Sequence, residues 1–383
     1  MAKARIPLGH YITEYSVRNK SNEDIPVYSV TNSQGFCTEY FGKEVASQDK
    51  STYKIVPWGY FAYNPSRINV GSVDWQRNNA RVIVSPLYNV FSVSDDLDRQ
   101  YLYYFLKSDY GRQIIKEKAS GSVRDNLKLD MLKEITIPHI TLEEQKECVS
   151  ILDGIQTTIR LRQQELQKLD ELVKARFVEM FGDPEFNTEA WPILTLDKLC
   201  NVGSSKRIYQ NEQSREGVPF WRISDLVNKM DTGAADSGLF IPEERYMELK
   251  QAGLVPIPGD ILVTSRGTLG RCYIIKDEDR FYFQDGMISW LSDYADSITP
   301  LYLQYLFAMQ GFRKQIDSMQ AGSTVAYLSI AMLKKLRVMI PPIEAQKNFA
   351  AFVDQLDKSK VVVQQALDKA QVLFDSLMQQ YFG

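Results

Sequence analysis

The chain repeats itself. Residues from about 101 to 182 recur near 302 to 383 at a constant offset of 201, and both copies end in Phe-Gly, Phe181-Gly182 and Phe382-Gly383. Identities fall on chemically different residue types: Tyr101-Leu102 with Tyr302-Leu303, Arg112 with Arg313, Gly121-Ser122 with Gly322-Ser323, Met131-Leu132-Lys133 with Met332-Leu333-Lys334. The match continues without a gap through Glu143, Gln145 and Lys146, which pair with Glu344, Gln346 and Lys347. Two copies of one plan follow from this.

The segments before each copy, roughly 1–100 and 183–301, agree far less. In the first, Gly59-Tyr60-Phe61-Ala62-Tyr63 leads into Asn64-Pro65-Ser66-Arg67 and Gly71; in the second, Gly259-Asp260-Ile261-Leu262-Val263 leads into Ser265-Arg266-Gly267 and Gly270. One indel aligns both the strand and the Arg. A chain that runs variable, constant, variable, constant suits a scaffold presenting two different readers in equivalent places.

Apolar residues keep a heptad-like spacing from about 143 to 180: Leu152, Ile155, Ile159, Leu166, Leu169, Val173 and Met180, with Arg162 and Arg176 in the two remaining positions. The second copy gives Val353, Leu356, Val363, Leu367, Ala370, Phe374, Leu377 and Tyr381, with Lys360 the exception. Each pattern predicts one long helix with a narrow apolar stripe, which must be buried against something. The repeat partner is the obvious candidate, in an antiparallel pair with an approximate two-fold axis; two helices each covering their own domain is the other solution. The variable segments predict mixed α+β structure, with strands at Lys54–Val56, 81–84, Asp260–Thr264 and Cys272–Ile275, and a helix at Asp98–Lys107 and Ile298–Met309.

Composition narrows the function classes. No run approaches about 20 consecutive apolar residues, and the basic Met1–Pro7 lacks the core of a signal peptide, so no membrane partner and a cytoplasmic location are expected. Cys37, Cys148, Cys200 and Cys272 are scattered, with only His10 and His139 beside them, which suggests reduced thiols and no metal site. A net charge of −3 argues against nonspecific coating of DNA, and residues 183–310 carry 12 basic against 19 acidic groups. If DNA is the ligand, the positive charge is local or a partner supplies it.

With these residues in view, the plan resembles the specificity (S) subunit of type I restriction-modification enzymes. The first variable segment carries Tyr53-Lys54-Ile55-Val56, Tyr63-Asn64-Pro65-Ser66-Arg67-Ile68-Asn69-Val70-Gly71-Ser72 and Val84-Ser85-Pro86-Leu87-Tyr88. The second carries Ser265-Arg266-Gly267-Thr268-Leu269-Gly270 and then Ile340-Pro341-Pro342-Ile343-Glu344-Ala345-Gln346. The resemblance spans essentially the whole chain. It departs where His139-Ile140-Thr141 stands in the place of Ile340-Pro341-Pro342.

The resemblance implies an α+β protein with two similar target recognition domains, 1–140 and 183–341, and two spacer helices, 141–182 and 342–383, antiparallel and pseudo-two-fold symmetric. It implies a non-catalytic DNA reader, each domain taking one half of a split asymmetric sequence and the helices setting the gap. Its partners would be double-stranded DNA, two modification subunits that bind S-adenosylmethionine and methylate adenine, and restriction subunits that use ATP and Mg; no cofactor is expected in this chain.

Arg67 and Arg266 follow a strand in glycine-containing turns, where a guanidinium either makes a bidentate contact with guanine or pairs with a nearby carboxylate. Asn64, Ser66, Asn69, Ser72, Ser265 and Thr268 supply hydrogen bonds to base edges and phosphates, or equally to their own turns. Arg18, Asn19 and Lys20, and Lys206 and Arg207, open their variable segments as phosphate or base contacts or as solvated loops. Ser122 and Arg124, with Ser323 and Thr324, lie in the matched Gly-Ser turns, where a phosphate contact and a helix cap both explain them. Gly71 and Gly270 serve backbone geometry or close approach to phosphate.

Catalytic patterns are missing. There is no Gly-x-x-x-x-Gly-Lys-[Ser/Thr] phosphate cradle, and Asn64-Pro65-Ser66-Arg67 lacks the third and fourth residues of the Asn-Pro-Pro-aromatic motif of amino-methyltransferases. Two readings compete with the reader: a duplicated methyltransferase or nuclease, and a coiled-coil scaffold that binds proteins alone.

Overall fold

A computed structural model describes residues 4–38, 49–119, 126–320 and 326–383. The chain divides into two compact units, Met1–Gln164 with Val363–Gly383, and Glu165–Val362.

The first unit contains β1 (Arg5–Pro7), β2 (Ile12–Glu14), β3 (Ser29–Thr31), β4 (Gly35–Cys37), β5 (Lys54–Pro57), β6 (Phe61–Tyr63), β7 (Val73–Trp75), β8 (Arg81–Val84) and β9 (Asn89–Val93). Then come α1 (Arg99–Lys107), α2 (Asp109–Ala119), α3 (Leu129–Lys133), β10 (Thr136–Pro138) and the start of α4 (Leu142–Phe181). Its central sheet is antiparallel in the order β2-β9-β6-β7. Side chains alternate between two cores, as the strand period of two requires. Phe61, Tyr63, Phe91 and Val93 face α1, α2, α3 and the helix ends, whereas Ala62 and Val90 meet Val56, Val82 and Val84 of β5 and β8.

The second unit contains β11 (Ile193–Thr195), β12 (Asn201–Gly203), β13 (Val218–Trp221), α5 (Ile223–Thr232), β14 (Phe240–Ile241), α6 (Glu243–Gln251), β15 (Ile261–Thr264) and β16 (Cys272–Ile274). It continues through β17 (Tyr282–Phe283), β18 (Ile288–Ser292), α7 (Pro300–Ala308), α8 (Gln310–Ser318), α9 (Ile330–Lys334), β19 (Arg337–Met339) and the start of α10 (Ile343–Phe382). The central sheet, β12-β18-β15-β16, has the topology of the first. Registers match too: Phe61 faces Phe91 as Ile261 faces Leu291. The expected strands are present in both units. The expected helices, α1 and α7, are each followed by a second, α2 and α8, that the sequence reading did not include. Ser108 makes the first break: its hydroxyl donates to the Phe105 carbonyl at 2.7 Å and accepts from the Gly111 N–H at 3.0 Å.

The repeated Gln explains itself here. Gln145 accepts from the Asp98 N–H at 2.7 Å and donates to the carbonyls of Asp96 and Ile140, both at 3.1 Å. Gln346 accepts from the Thr299 N–H and donates to Ser297 and Pro341, each at 2.9 Å. One buried amide thus ties the start of each long helix to the start of the helix after the sheet.

The long helices α4 and α10 have 40 residues each, about 60 Å at 1.5 Å per residue. Within the first unit Phe374, Leu377, Met378 and Phe382, near the end of α10, share a core with Cys148 and Leu152, near the start of α4. Within the second, Phe177 and Phe181, at the end of α4, pack on Phe349 near the start of α10 with ring centroids 5.5 Å apart. The pair is therefore antiparallel. Lys360, the exception in the stripe, pairs with Asp170 at 2.7 Å. Where the first helix lacks the prolines, Thr141 and Glu144 form a capping box: the Thr141 N–H donates to Glu144 Oε2 at 2.8 Å, and the Glu144 N–H to Thr141 Oγ1 at 3.2 Å. Among the described residues no helix is long and apolar enough to cross a membrane, and no group of three or more His, Cys, Asp or Glu is placed to hold a metal ion.

Candidate nucleic-acid interface

The two Arg turns are held the same way. Each leaves a central strand, β6 or β15, and meets the segment before α3 or α9: the Leu127 N–H donates to the Pro65 carbonyl at 3.1 Å, and the Leu328 N–H to the Ser265 carbonyl at 3.0 Å. The first turn is fastened further by Tyr63, whose hydroxyl donates to the Leu127 carbonyl at 3.0 Å. The turns close with the Asn64 N–H on Ser72 and the Thr264 N–H on Arg271, so the first loop is one residue longer. That is the indel. Gly71 and Gly270 both have positive φ, +94° and +71°, and a Cβ would lie 2.4 Å from Asn32 Oδ1 or 2.6 Å from Ile316 Cδ1. Backbone geometry and packing account for both glycines.

Arg67 and Ser66 are exposed at the first turn, the Ser66 hydroxyl donating to Asn126 Oδ1 at 2.6 Å. Asn64 accepts from the Ser66 N–H at 3.0 Å, which shapes the turn. Asn69 keeps a buried Oδ1 with no hydrogen-bond partner. Arg18 and Lys20 are exposed, and the Arg18 backbone forms an isolated antiparallel β-bridge with Lys54, the first residue of β5.

In the second unit the structure gathers Arg207 and Arg266 around one cleft of about 580 Å³, with Gln213, Gln284, Asp285 and Tyr327. Arg266 lies over the Tyr327 ring, 5.5 Å from its centroid, and Arg207 Nε donates to Asp285 at 2.8 Å. Lys206 is exposed, and its N–H donates to the Tyr282 hydroxyl at 2.8 Å. Thr268 is exposed near a second basic hollow of about 680 Å³ that Lys174, Lys229, Arg271, Lys276 and Arg313 also line. Arg207, Lys229 and Arg271 are each paired with an aspartate, Asp285, Asp279 and Asp231.

Three expected contacts are corrected. Asn19 is 1% exposed, and its amide exchanges hydrogen bonds with the Glu23 backbone at 2.8 and 3.0 Å. Ser72 is buried and donates to the Val30 carbonyl. Ser265 is buried against the Ser289 hydroxyl at 2.8 Å. All three side chains are buried and bond to the fold. Arg124, Ser122, Ser323 and Thr324 lie outside the described residues. Tyr327, Gln284 and Asn126 were not singled out from sequence. The only available signal was that Tyr327 and Asn126 adjoin the repeated Gly-Ser turns. Of the aromatics before the first turn, Phe61 and Tyr63 are fully buried core, whereas Trp58 is 56% exposed.

Comparison with known proteins agrees with this duplicated plan. The family described as type I restriction modification DNA specificity domain matches twice, over residues 9–171 and 188–369. A provisionally assigned type I restriction enzyme specificity subunit of Haemophilus influenzae, S.HindORF215P, is 26% identical over 288 residues, 74% of this chain and 68% of that protein. The type I restriction enzyme MjaVIII specificity subunit of Methanocaldococcus jannaschii is 24% identical over 285 residues, 69% of this chain and 64% of that one, so the chain spans somewhat under two thirds of this relative's length. Among solved structures, the type I restriction-modification system S subunit from M. genitalium aligns over 100% of this chain and 99% of its own, with TM-score 0.55 and 15% identity. A chain from a study of complex assembly and conformational transition of the type I R-M system aligns over 100% and 97%, with TM-score 0.58 and 16% identity.

Proposed function

The chain belongs to the type I restriction modification DNA specificity family, and on that premise we propose that each unit reads one half of a bipartite, asymmetric DNA site. The observation that carries this reading is equal presentation with unequal content. The same sheet and the same backbone hydrogen bond offer the Arg67 turn in one unit and the Arg266 turn in the other, while the elements around them differ: the two-stranded sheets β3-β4 and β5-β8 in the first, the three-stranded sheet β14-β13-β17 with α5 and α6 in the second. Arg67, Ser66, Arg18 and Lys20 serve one half-site; Arg266, Arg207, Lys206 and Thr268 serve the other. Guanidinium groups on such turns suit bidentate contact with guanine in a major groove, and the lysines suit phosphates.

The chain performs no chemistry itself in this account. It directs adenine methylation, and cleavage of unmodified DNA, by two modification subunits carrying S-adenosylmethionine and by restriction subunits using ATP and Mg. Exposed apolar residues on the long helices, Leu161, Leu172, Val361, Val362, Val372 and Leu373, support docking there. At a net charge of −3 the chain relies, in this account, on its partners for positive charge along the DNA. Selection from a random duplex pool, with the chain assembled on its modification partner, tests the reading: a two-part motif with a fixed gap is expected, and a pool without enrichment would contradict it.

A further inference from the structure

The turn that opens the central hairpin is the same in both units. The Gly59 N–H donates to the Gln76 carbonyl at 2.7 Å and the Gln76 N–H to Tyr60 at 2.8 Å; the Gly259 N–H donates to Ile275 at 2.9 Å and the Ile275 N–H to Asp260 at 2.8 Å. Arg99 and Pro300 are equivalent as well, each the first residue of its helix after a capping Asp98 or Thr299.

What covers the glycine differs. In the first unit Arg99 Nε donates to the Gly59 carbonyl at 3.0 Å, so the chain's own guanidinium lies on the turn. In the second, Pro300 offers no donor, and a cavity of about 920 Å³ opens beside Gly259 and Asp260. Its wall carries Asp260, Asp277, Asp293, Trp290 and Tyr294, with Lys250 the one basic residue. Asp260 is 5% exposed, its Oδ2 accepting from the Ile257 N–H and the Trp290 indole N–H, each at 2.9 Å. Asp293 is exposed and accepts from the Ser292 hydroxyl at 3.2 Å. A fourth carboxylate there, Asp279, is already paired with Lys229 at 3.2 Å.

We propose that this cavity binds a guanidinium group from outside the chain, in the place that Arg99 fills in the first unit. Carboxylates, a backbone carbonyl and aromatic rings are the partners that a planar, always-charged donor uses best. The group is either an arginine side chain of a partner protein or a small guanidinium metabolite. The inference is independent of DNA reading, and its test contains no DNA.

Calorimetric titration of the full chain with agmatine, with a Gly-Arg-Gly peptide blocked at both ends, and with its lysine counterpart decides. Saturable binding of a guanidinium probe is expected. The Asp293→Asn chain, altered at an exposed position with positive φ that Asn tolerates, should bind about tenfold more weakly, the loss of one charge-assisted hydrogen bond. Pro300→Arg, which supplies the chain's own guanidinium, should abolish binding while the protein melts no lower than the parent. A peptide that outbinds agmatine identifies a protein partner, and the reverse order a metabolite. Absence of binding by either guanidinium probe, a lysine peptide that matches the arginine one, or undiminished binding in a folded Pro300→Arg chain would overturn the proposal.

Discussion

Gln346 is fully buried, and three of its hydrogen bonds satisfy backbone groups on either side of the junction between α7 and α10, with a fourth from the Thr299 hydroxyl. Gln346→Leu leaves one N–H and two carbonyls without that partner, so a loss of about 3 kcal/mol is expected, at about 1 kcal/mol for each hydrogen bond. Urea unfolding checks it, and a change below half that size would show that water replaces the amide. Arg266 is exposed and lies over the Tyr327 ring. Arg266→Ala should therefore leave the melting temperature alone and weaken binding to the cognate duplex by about 1–3 kcal/mol, relaxing selectivity at one position in one half-site. Competition binding against single-base variants reads this directly. At this scale the sequence was only partly legible. The Gln145 and Gln346 pair stood out in the repeat, yet its structural use depends on burial. Asn19, Ser72 and Ser265 have the chemistry of a DNA contact, but their polar groups turn inward, which residue type does not reveal.

The helices were the most legible elements, because a stripe with heptad spacing over so many residues has few other ways to be buried. Every expected stripe position is buried or half-buried, and Lys360 tolerates its place through Asp170. Phe177 and Phe181 lie off the strict spacing, whereas Phe349 continues it four residues before Val353, and the three form the aromatic cluster at the end of the pair in the second unit. Adding two heptads to both helices should keep the stripe in register and lengthen the unread gap between half-sites; an unchanged gap would show that the helices are not the spacer. The expected helices end at Lys107 and Met309, and Ser108 and Met309 do separate α1 from α2 and α7 from α8; what the sequence did not mark was the second helix of each pair, which is too short for its apolar spacing to stand out. In the second variable segment α5 and α6 escaped notice, since no repeat partner and no long periodic stripe marks them.

For the whole molecule, duplication is the organising fact. Two sheets of one topology, each with its Arg turn pinned by the same backbone hydrogen bond, make the units alike in frame and free to differ in what they present. Exchanging residues 183–330 for those of a relative should change one half of the target and leave the other intact; a change in both halves would contradict independent reading. The offset in the sequence made this architecture visible from the start, whereas the cleft holding Arg207, Arg266 and Tyr327 joins residues far apart in the chain and needed coordinates. The central claim is that this chain selects where adenine is methylated. Single-molecule sequencing of adenine methylation, in cells carrying the chain with its neighbouring modification gene and in cells lacking only the chain, tests it most directly. A split motif that is methylated in the first cells and vanishes in the second is the predicted result; unchanged methylation with an expressed and active modification partner would contradict it.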